Sequence, residues 1–237
     1  MIILSKDKEK TIVFDQDLAV ESIQRKSLVS DASGDNHYDL ASALQKSMRG
    51  SDPDAAIYWL GRMLASGEDP LYLARRMVRF AVEDIGNADP QALKLALNAM
   101  EAYRFLGSPE GDLALAQVAV YLATAPKSNA IYTAYKRVQE TIKKTGSLET
   151  PLHIRNAPTK LMKTMGYGKD YKYAHNYQDA IVSQEYLPEK IRGRRFYHPM
   201  DRGYEQTIKK RLDQWRSRKS QMRASSDIGA EHEYSGD

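Results

Sequence analysis

Residues 50–109 read GSDPDAAIYWLGRMLASGEDPLYLARRMVRFAVEDIGNADPQALKLALNAMEAYRFLGSP, and the fold is decided there. A polar side chain stands directly before a proline at Asp52-Pro53, Asp69-Pro70, Asp89-Pro90 and Ser108-Pro109. A carboxylate or hydroxyl at such a position accepts from the orphan N–H groups of a helix's first turn. Proline suits the next position because its missing N–H has no partner there. Gly50, Gly67, Gly86 and Gly107 lie just upstream of the pairs. Glycine following a helix takes the left-handed conformation without a Cβ penalty. The stretch therefore reads as stop, cap and start, repeated.

The segments between agree with this punctuation. Over residues 55–65, Ile57, Leu60 and Leu64 recur at helical spacing. Over 71–85, Leu71, Ala74, Met77, Val78, Ala81, Val82 and Ile85 form one stripe, with Arg75, Arg76, Arg79 and Glu83 mostly off it. Leu93, Leu97 and Met100 continue the pattern. A helix near 113–124 carries Leu113, Leu115, Val118 and Leu122 and is apolar around most of its circumference, so it is expected at the centre. Ser128 to Lys144 reads as another helix, closed by Gly146. Upstream, Asp17–Lys26 and Tyr38–Met48 read as shorter helices, joined by a polar, mobile loop over 30–36. Short linkers make consecutive helices antiparallel neighbours.

Residues 147–205 change character, with Pro151, Pro158, Pro188 and Pro199 among many tyrosines. Short helices are expected at Thr159–Met165 and near Gln178–Ser183, in otherwise irregular chain. A basic helix, Tyr204–Arg218, carries Trp215. Beyond Ser220 the polar, acidic ending is expected to be disordered. The predicted class is all-α: a compact array of antiparallel helices with a partly irregular C-terminal segment.

Composition narrows the chemistry. Hydrophobic residues make up 42% of 237, enough for a sizeable core. The absence of cysteine removes disulfides and thiolate metal sites and suits a reducing cytoplasm. No apolar run approaches the roughly 20 residues of a membrane span. The opening Met1 to Asp7 turns charged too soon for a secretory signal. Charge is uneven: residues 131–223 hold 21 Lys/Arg against 9 Asp/Glu, whereas 1–130 hold 14 against 18. The basic stretch is either a footprint for an acidic partner or a solvated surface.

A search for catalytic motifs returns little. The Gly168-Lys169 pair lacks a glycine at 163, where Lys stands, and Asp170 replaces the Ser/Thr of a phosphate-cradling loop. None of His37, His153, His175, His198 and His232 forms the helical pair of a zinc site. His153 is expected to be a hydrogen-bonded structural residue, and Glu83-Asp84 an exposed acidic pair. The stronger signal is basic and aromatic interleaving: Lys169, Tyr171, Lys172 and Tyr173, then Arg192, Arg194 and Arg195. Unpaired bases stack on such rings while the cations meet phosphates. The alternative is that the tyrosines pack the irregular segment or a subunit contact. Tyr121, Tyr132 and Tyr135, at helical spacing, read as core or interface.

Several blocks carry a resemblance. Gly50-Ser51-Asp52-Pro53-Asp54-Ala55-Ala56, Tyr58-Trp59-Leu60 and Gly67-Glu68-Asp69-Pro70-Leu71-Tyr72 come first. Glu83-Asp84-Ile85-Gly86, Ala88-Asp89-Pro90, Ala125 to Ala130, His153 to Lys160, Gly166-Tyr167-Gly168, Tyr171 to His175 and Tyr186-Leu187-Pro188 follow. Together they look like the C-terminal region of the RarA/MgsA AAA+ ATPases, relatives of the Werner helicase-interacting protein, over roughly residues 15–218. The resemblance implies the end of an AAA+ lid over 1–48, a helical oligomerisation domain similar to a clamp-loader collar over 49–219, and a tail over 220–237. It implies a homotetramer, with ATP and magnesium handled by an upstream module absent from this chain, so no enzyme activity here. It also implies work at stalled forks, with DNA and single-stranded DNA-binding protein as partners. It assigns no catalytic, cofactor or metal residue to this chain.

Overall fold

The computed structural model describes residues 35–233, with side-chain surroundings over 37–223. The helices are α1 (Asp35–Arg49), α2 (Pro53–Ala65), α3 (Pro70–Phe80), α4 (Gln91–Leu106), α5 (Asp112–Thr124), α6 (Ala130–Thr145), α7 (Lys160–Thr164) and α8 (Glu205–Glu233). There is no strand among the described residues, so the class is all-α. The helix expected at Asp17–Lys26, and most of the loop expected at 30–36, lie outside the described residues. The chain divides into two units, one ending at Asn129 and the other beginning at Ala130.

In the first unit three of the four caps form as the sequence dictates. Asp52 Oδ1 accepts from Ala55 N at 2.9 Å, and Asp69 Oδ1 from Leu71 N at 2.9 Å. Asp89 Oδ1 accepts from Gln91 N at 3.0 Å. Ser108-Pro109 is different. Its peptide bond is cis, and α5 starts only at Asp112. The Ser108 hydroxyl donates its proton to the Asp112 carboxylate, at 2.7 Å, rather than capping the helix. After α1 the left-handed residue is Ser51, with φ of 62°, and not Gly50.

The core joins α1 to α5. Leu40, Leu44 and Met48 of α1 are buried with Leu60 and Met63 of α2 and with Leu73, Met77 and Phe80 of α3. Leu115, Val118 and Leu122 of α5 complete it, and α5 packs on α1, α2, α3 and α4. Its central place follows from apolar residues on every side. Because α5 offers α2 a surface, α2 packs there and on α1, so α2 and α3 are not the close antiparallel neighbours that their short linker suggested. The helix α3 does not stop at Phe80 but widens into a π-type turn, Ala81–Ile85.

The second unit contains α6, α7, α8 and the connecting irregular chain. Among the described residues its buried side chains are few: Ala130, Thr141, Ile181, Val182 and Glu205. Thr159 caps α7 through Met162 N at 3.3 Å, close to the expected helix. Near 178 there is one tight turn, Gln178–Ala180, with Ile181 and Val182 buried behind it. The helix α8 passes the expected end at Arg218, and through the expected disordered stretch, to Glu233.

Candidate functional site

Two clusters draw separated sequence blocks together. The first, in the first unit, is centred on the widened turn after α3. Arg49, at the end of α1, donates from Nε and Nη2 to the Asp84 carboxylate at 2.6 and 3.1 Å. The Asp84 carbonyl accepts from Ser128 N at 2.8 Å. Lys127 Nζ closes the end of α5, donating to the Ala123 and Ala125 carbonyls at 2.8 and 2.6 Å. Burial holds the Lys127 ammonium below its ordinary pKa, and Asp84 pulls the other way. Arg49 is held above its own, first by its hydrogen bond to Asp84. Glu83 pairs with Arg79 at 2.7 Å. Widened turns recur at functional sites. Here, however, each carboxylate is matched to an arginine, and the arrangement clamps α1 rather than preparing acid–base or metal chemistry. Asp84 is only 13% exposed, so Glu83-Asp84 is not the solvent-facing pair that the sequence suggested.

The second cluster orders the irregular chain of the second unit. A turn at Leu152–Ile154 is its hub. The Leu152 carbonyl accepts from Gly168 N at 2.9 Å. His153 Nε2 meets the Glu185 carbonyl at 2.7 Å, the structural role expected of it. Arg155 donates to Thr150 O, Tyr167 Oη and Glu149 Oε2 at 2.6, 3.2 and 2.9 Å, and lies over the Tyr167 ring. Lys172 N donates to Gln184 Oε1 at 2.8 Å. The blocks 153–160, 166–168 and 171–175 are therefore bonded into one assembly with Gln184 and Glu185, which lead into 186–188. Farther along, Glu205 is fully buried at the head of α8 and accepts from Tyr197 Oη and Met200 N, each at 2.8 Å. Its sequence context gave no sign of this.

The seven predicted contact residues are all exposed, but the structure does not gather them into one surface. Lys169 and Lys172 line one cleft, with Asp170 and Glu185, while Tyr171 lines another, with Tyr186. The Tyr173 ring leans against His175 at 5.1 Å. Arg192 faces Glu185 and Glu189 at 3.9 and 3.4 Å. Arg194 and Arg195 stand apart from these, in a cleft of about 250 Å³ against α6, lined also by Arg137, Glu140, Thr141, Lys144 and Phe196. The α6 residues of that cleft escaped the sequence reading. Their spacing of 137, 141 and 144 on one helix face was legible, but the approach of Arg194 across 53 residues was not.

Tyr132 and Tyr135 are 50% and 64% exposed, which removes the core reading for them, whereas Tyr121 is half-buried against Asp89. In the first unit Phe105, Leu106 and Leu113 stand out at 89%, 52% and 74% exposed. They surround the turn joining α4 to α5. A groove of about 400 Å³ runs along those helices, lined by Leu95, Ala99, Ala102, Ala114, Val118 and Tyr121 among others, and reaches Thr124 at the far end of α5. Among the described residues no group of three or more metal-ligating side chains converges. No described helix is long and apolar enough to cross a membrane.

Comparison with known proteins places these features. A family model described as "AAA C-terminal domain" matches residues 1–49, and one described as "MgsA AAA+ ATPase C terminal" matches residues 50–216. The boundary between the two falls in the turn between α1 and α2, which share one core. Replication-associated recombination protein A of Coxiella burnetii is 54% identical over 198 residues, covering 83% of this chain and 45% of its own. The protein of the same name from Escherichia coli K12 is 48% identical over 201 residues, 84% of this chain and 45% of its own. ATPase WRNIP1 of Dictyostelium discoideum is 52% identical over 176 residues, 74% of this chain and 20% of its own. The chain spans about half the length of the bacterial relatives that it matches.

Proposed function

The chain belongs to the MgsA AAA+ ATPase family, whose C-terminal region it matches, and on that premise we propose that it is the homo-oligomerisation, tetramer-forming domain of an ATPase that serves replication forks. The observation that carries this reading is the apolar tip of the first unit. Phe105 and Leu113 expose 89% and 74% of themselves, and the two helices that carry them form a groove lined by Ala99, Ala102, Ala114 and Val118 among others. A patch of this kind on a folded domain marks a protein contact, and a second copy brings both the tip and the groove. In this reading ATP and magnesium are handled by the part of the relatives outside the match, and this chain contributes assembly. Light scattering on the chain at tens of micromolar tests it. A mass several times that of one chain is expected, and a strict monomer overturns it. ATP hydrolysis by this chain alone would overturn the division of labour.

A second reading concerns the basic residues of 131–223, whose 21 Lys/Arg stand against 9 Asp/Glu. We propose that this surface touches DNA, or the acidic surface of a DNA-bound protein such as single-stranded DNA-binding protein. The two readings are compatible, because an assembled ring can present a basic face. Fluorescence anisotropy with labelled oligonucleotides over a range of salt decides it, since phosphate-driven binding weakens steeply with salt. No binding at low salt removes the DNA contact and leaves the acidic protein surface alone.

A further inference from the structure

The cleft between α6 and residues 194–196 is a cation-lined slot whose charges are set before any ligand arrives. Arg137 and Lys144 project from one face of α6, two turns apart, with Thr141 between them. Thr141 is buried; its hydroxyl donates to the Arg137 carbonyl at 2.9 Å and accepts from Arg194 Nη1 at 3.1 Å. Arg194 is therefore held against α6 by an uncharged partner, which fixes its direction without neutralising it. Arg195 and Phe196 complete the wall. None of Arg137, Lys144, Arg194 and Arg195 is ion-paired with a carboxylate among the described residues. The one acidic group in the lining is Glu140. Several arginines elsewhere in this unit are instead neutralised. Arg155, Arg192, Lys209, Arg218 and Arg223 each meet an Asp or Glu.

We propose that this slot is a binding site for the phosphodiester backbone of single-stranded nucleic acid. The inference rests on the second reading above and assigns it a place. Four unneutralised cations around a concavity favour a polyanion. One feature selects a single strand over a duplex. Phe196 in the wall offers a ring on which an unpaired base stacks, a face that pairing and stacking conceal in a duplex. The guanidinium forks of Arg194 and Arg195 match phosphate oxygens bidentately, and the hydrogen bond to Thr141 lowers the ordering cost for one of them. Lys169 and Lys172 share their cleft with Asp170 and Glu185, and Arg192 shares its own with Glu149, Glu185 and Glu189, against Glu140 alone in the slot, so these three are assigned no part.

The test uses the full chain, a labelled oligothymidylate, a duplex of the same length and a polyglutamate peptide, with anisotropy read over several salt concentrations. The Arg194→Gln, Arg195→Gln double variant should bind the oligothymidylate more weakly. The slope of log Kobs against log salt should flatten by about 1.4, which is two phosphate contacts on a single strand. Lys144→Gln, on the opposite wall, should flatten it by about half as much. The Lys169→Gln, Lys172→Gln double variant should leave the slope unchanged. Unaltered melting curves and light-scattering masses show that fold and assembly survive the substitutions. If the chain binds the oligonucleotide and the cleft variants bind it as well as the parent, this site is overturned while the second reading stands. If the parent binds no oligonucleotide at low salt, this site falls together with the DNA contact of the second reading. Tighter binding of the duplex, or loss of polyglutamate binding alone in the cleft variants, also overturns the proposal.

Discussion

At Asp89 a single carboxylate serves two helices. One oxygen caps α4 through Gln91 N at 3.0 Å, and the other accepts the Tyr121 hydroxyl from α5. The cap was legible in the Asp-Pro pair; the tyrosine was not, because it comes from 32 residues away. That contact pushes the Tyr121 phenol up to about 12, with burial adding to the hydrogen bond. In the unfolded chain a tyrosine titrates near about 10. The fold thus keeps its proton where the unfolded chain loses it. The stabilisation is fully present below about pH 10 and is lost as pH rises through about 12. Melting curves of the parent and of Tyr121→Phe should be farthest apart below pH 10 and converge above it; a gap independent of pH would refute this coupling. Asp69 is simpler. Asp69→Ala should cost about 0.5–2 kcal/mol, seen as a lowered melting midpoint, and an unchanged midpoint would mean that α3 draws nothing from its cap. Glu205 shows the opposite case. Nothing in Tyr204-Glu205-Gln206 distinguishes an exposed helix start from a fully buried carboxylate, since its donors, Tyr197 and Met200, come from an irregular loop. Glu205→Ala would leave those donors unsatisfied, at about 1–3 kcal/mol.

Elements were readable in proportion to how local their causes are. The starts of α2, α3 and α4 follow from an Asp-Pro pair, and their lengths from the glycine that follows or from a stripe of fixed period. The start of α5 depends on the turn at 107–111, whose shape is set by close packing that no cap rule describes. There Gly111 N bonds the Gly107 carbonyl at 2.6 Å, and a Cβ on Gly111 would lie 2.7 Å from that carbonyl and 2.9 Å from the Tyr103 ring. The carbonyl is backbone and cannot yield. Gly111→Ala should therefore destabilise by about 1–3 kcal/mol, as overpacking does. At Gly61, inside α2, a Cβ would meet nothing within 4 Å, so Gly61→Ala should stabilise by up to about 1 kcal/mol through helix propensity alone. Opposite shifts in melting midpoint are expected from the same chemical change; shifts of one sign would mean that packing at the turn does not decide it. The candidate site was legible only as a set of residue types. Sequence marked seven exposed residues, but their separation into distinct clefts, and the pairing of Arg194 and Arg195 with α6, depend on how the irregular chain doubles back.

At the scale of the whole molecule the two units differ in how much they bury. Among the described residues the first joins five helices around one core, whereas the second holds together largely through hydrogen bonds such as those of Arg155, His153 and Glu205, with few buried side chains. Assembly through the first unit then follows a definite logic. A stable contact needs about 800 Å² from each partner, and one buried aromatic supplies about 150–250 Å² of that. Among the described residues Phe105 is the most exposed large apolar side chain, with Leu106 next to it and Leu113 across the turn, and the same two helices carry the groove. The Phe105→Asp, Leu113→Asp double variant removes two exposed side chains, so its effect on the isolated fold should stay within about 0.5 kcal/mol per site. Its effect on association should be large, because each copy would place a carboxylate where an apolar surface has to be dehydrated. The parent's melting midpoint should rise with protein concentration, as expected of a folded state that gains from a partner. The variant should lose that dependence and give the mass of one chain at tens of micromolar. A variant that assembles as the parent does would show that this tip is not the contact and would shift attention to Tyr132, Tyr135 and Ile142, which α6 leaves 50%, 64% and 59% exposed.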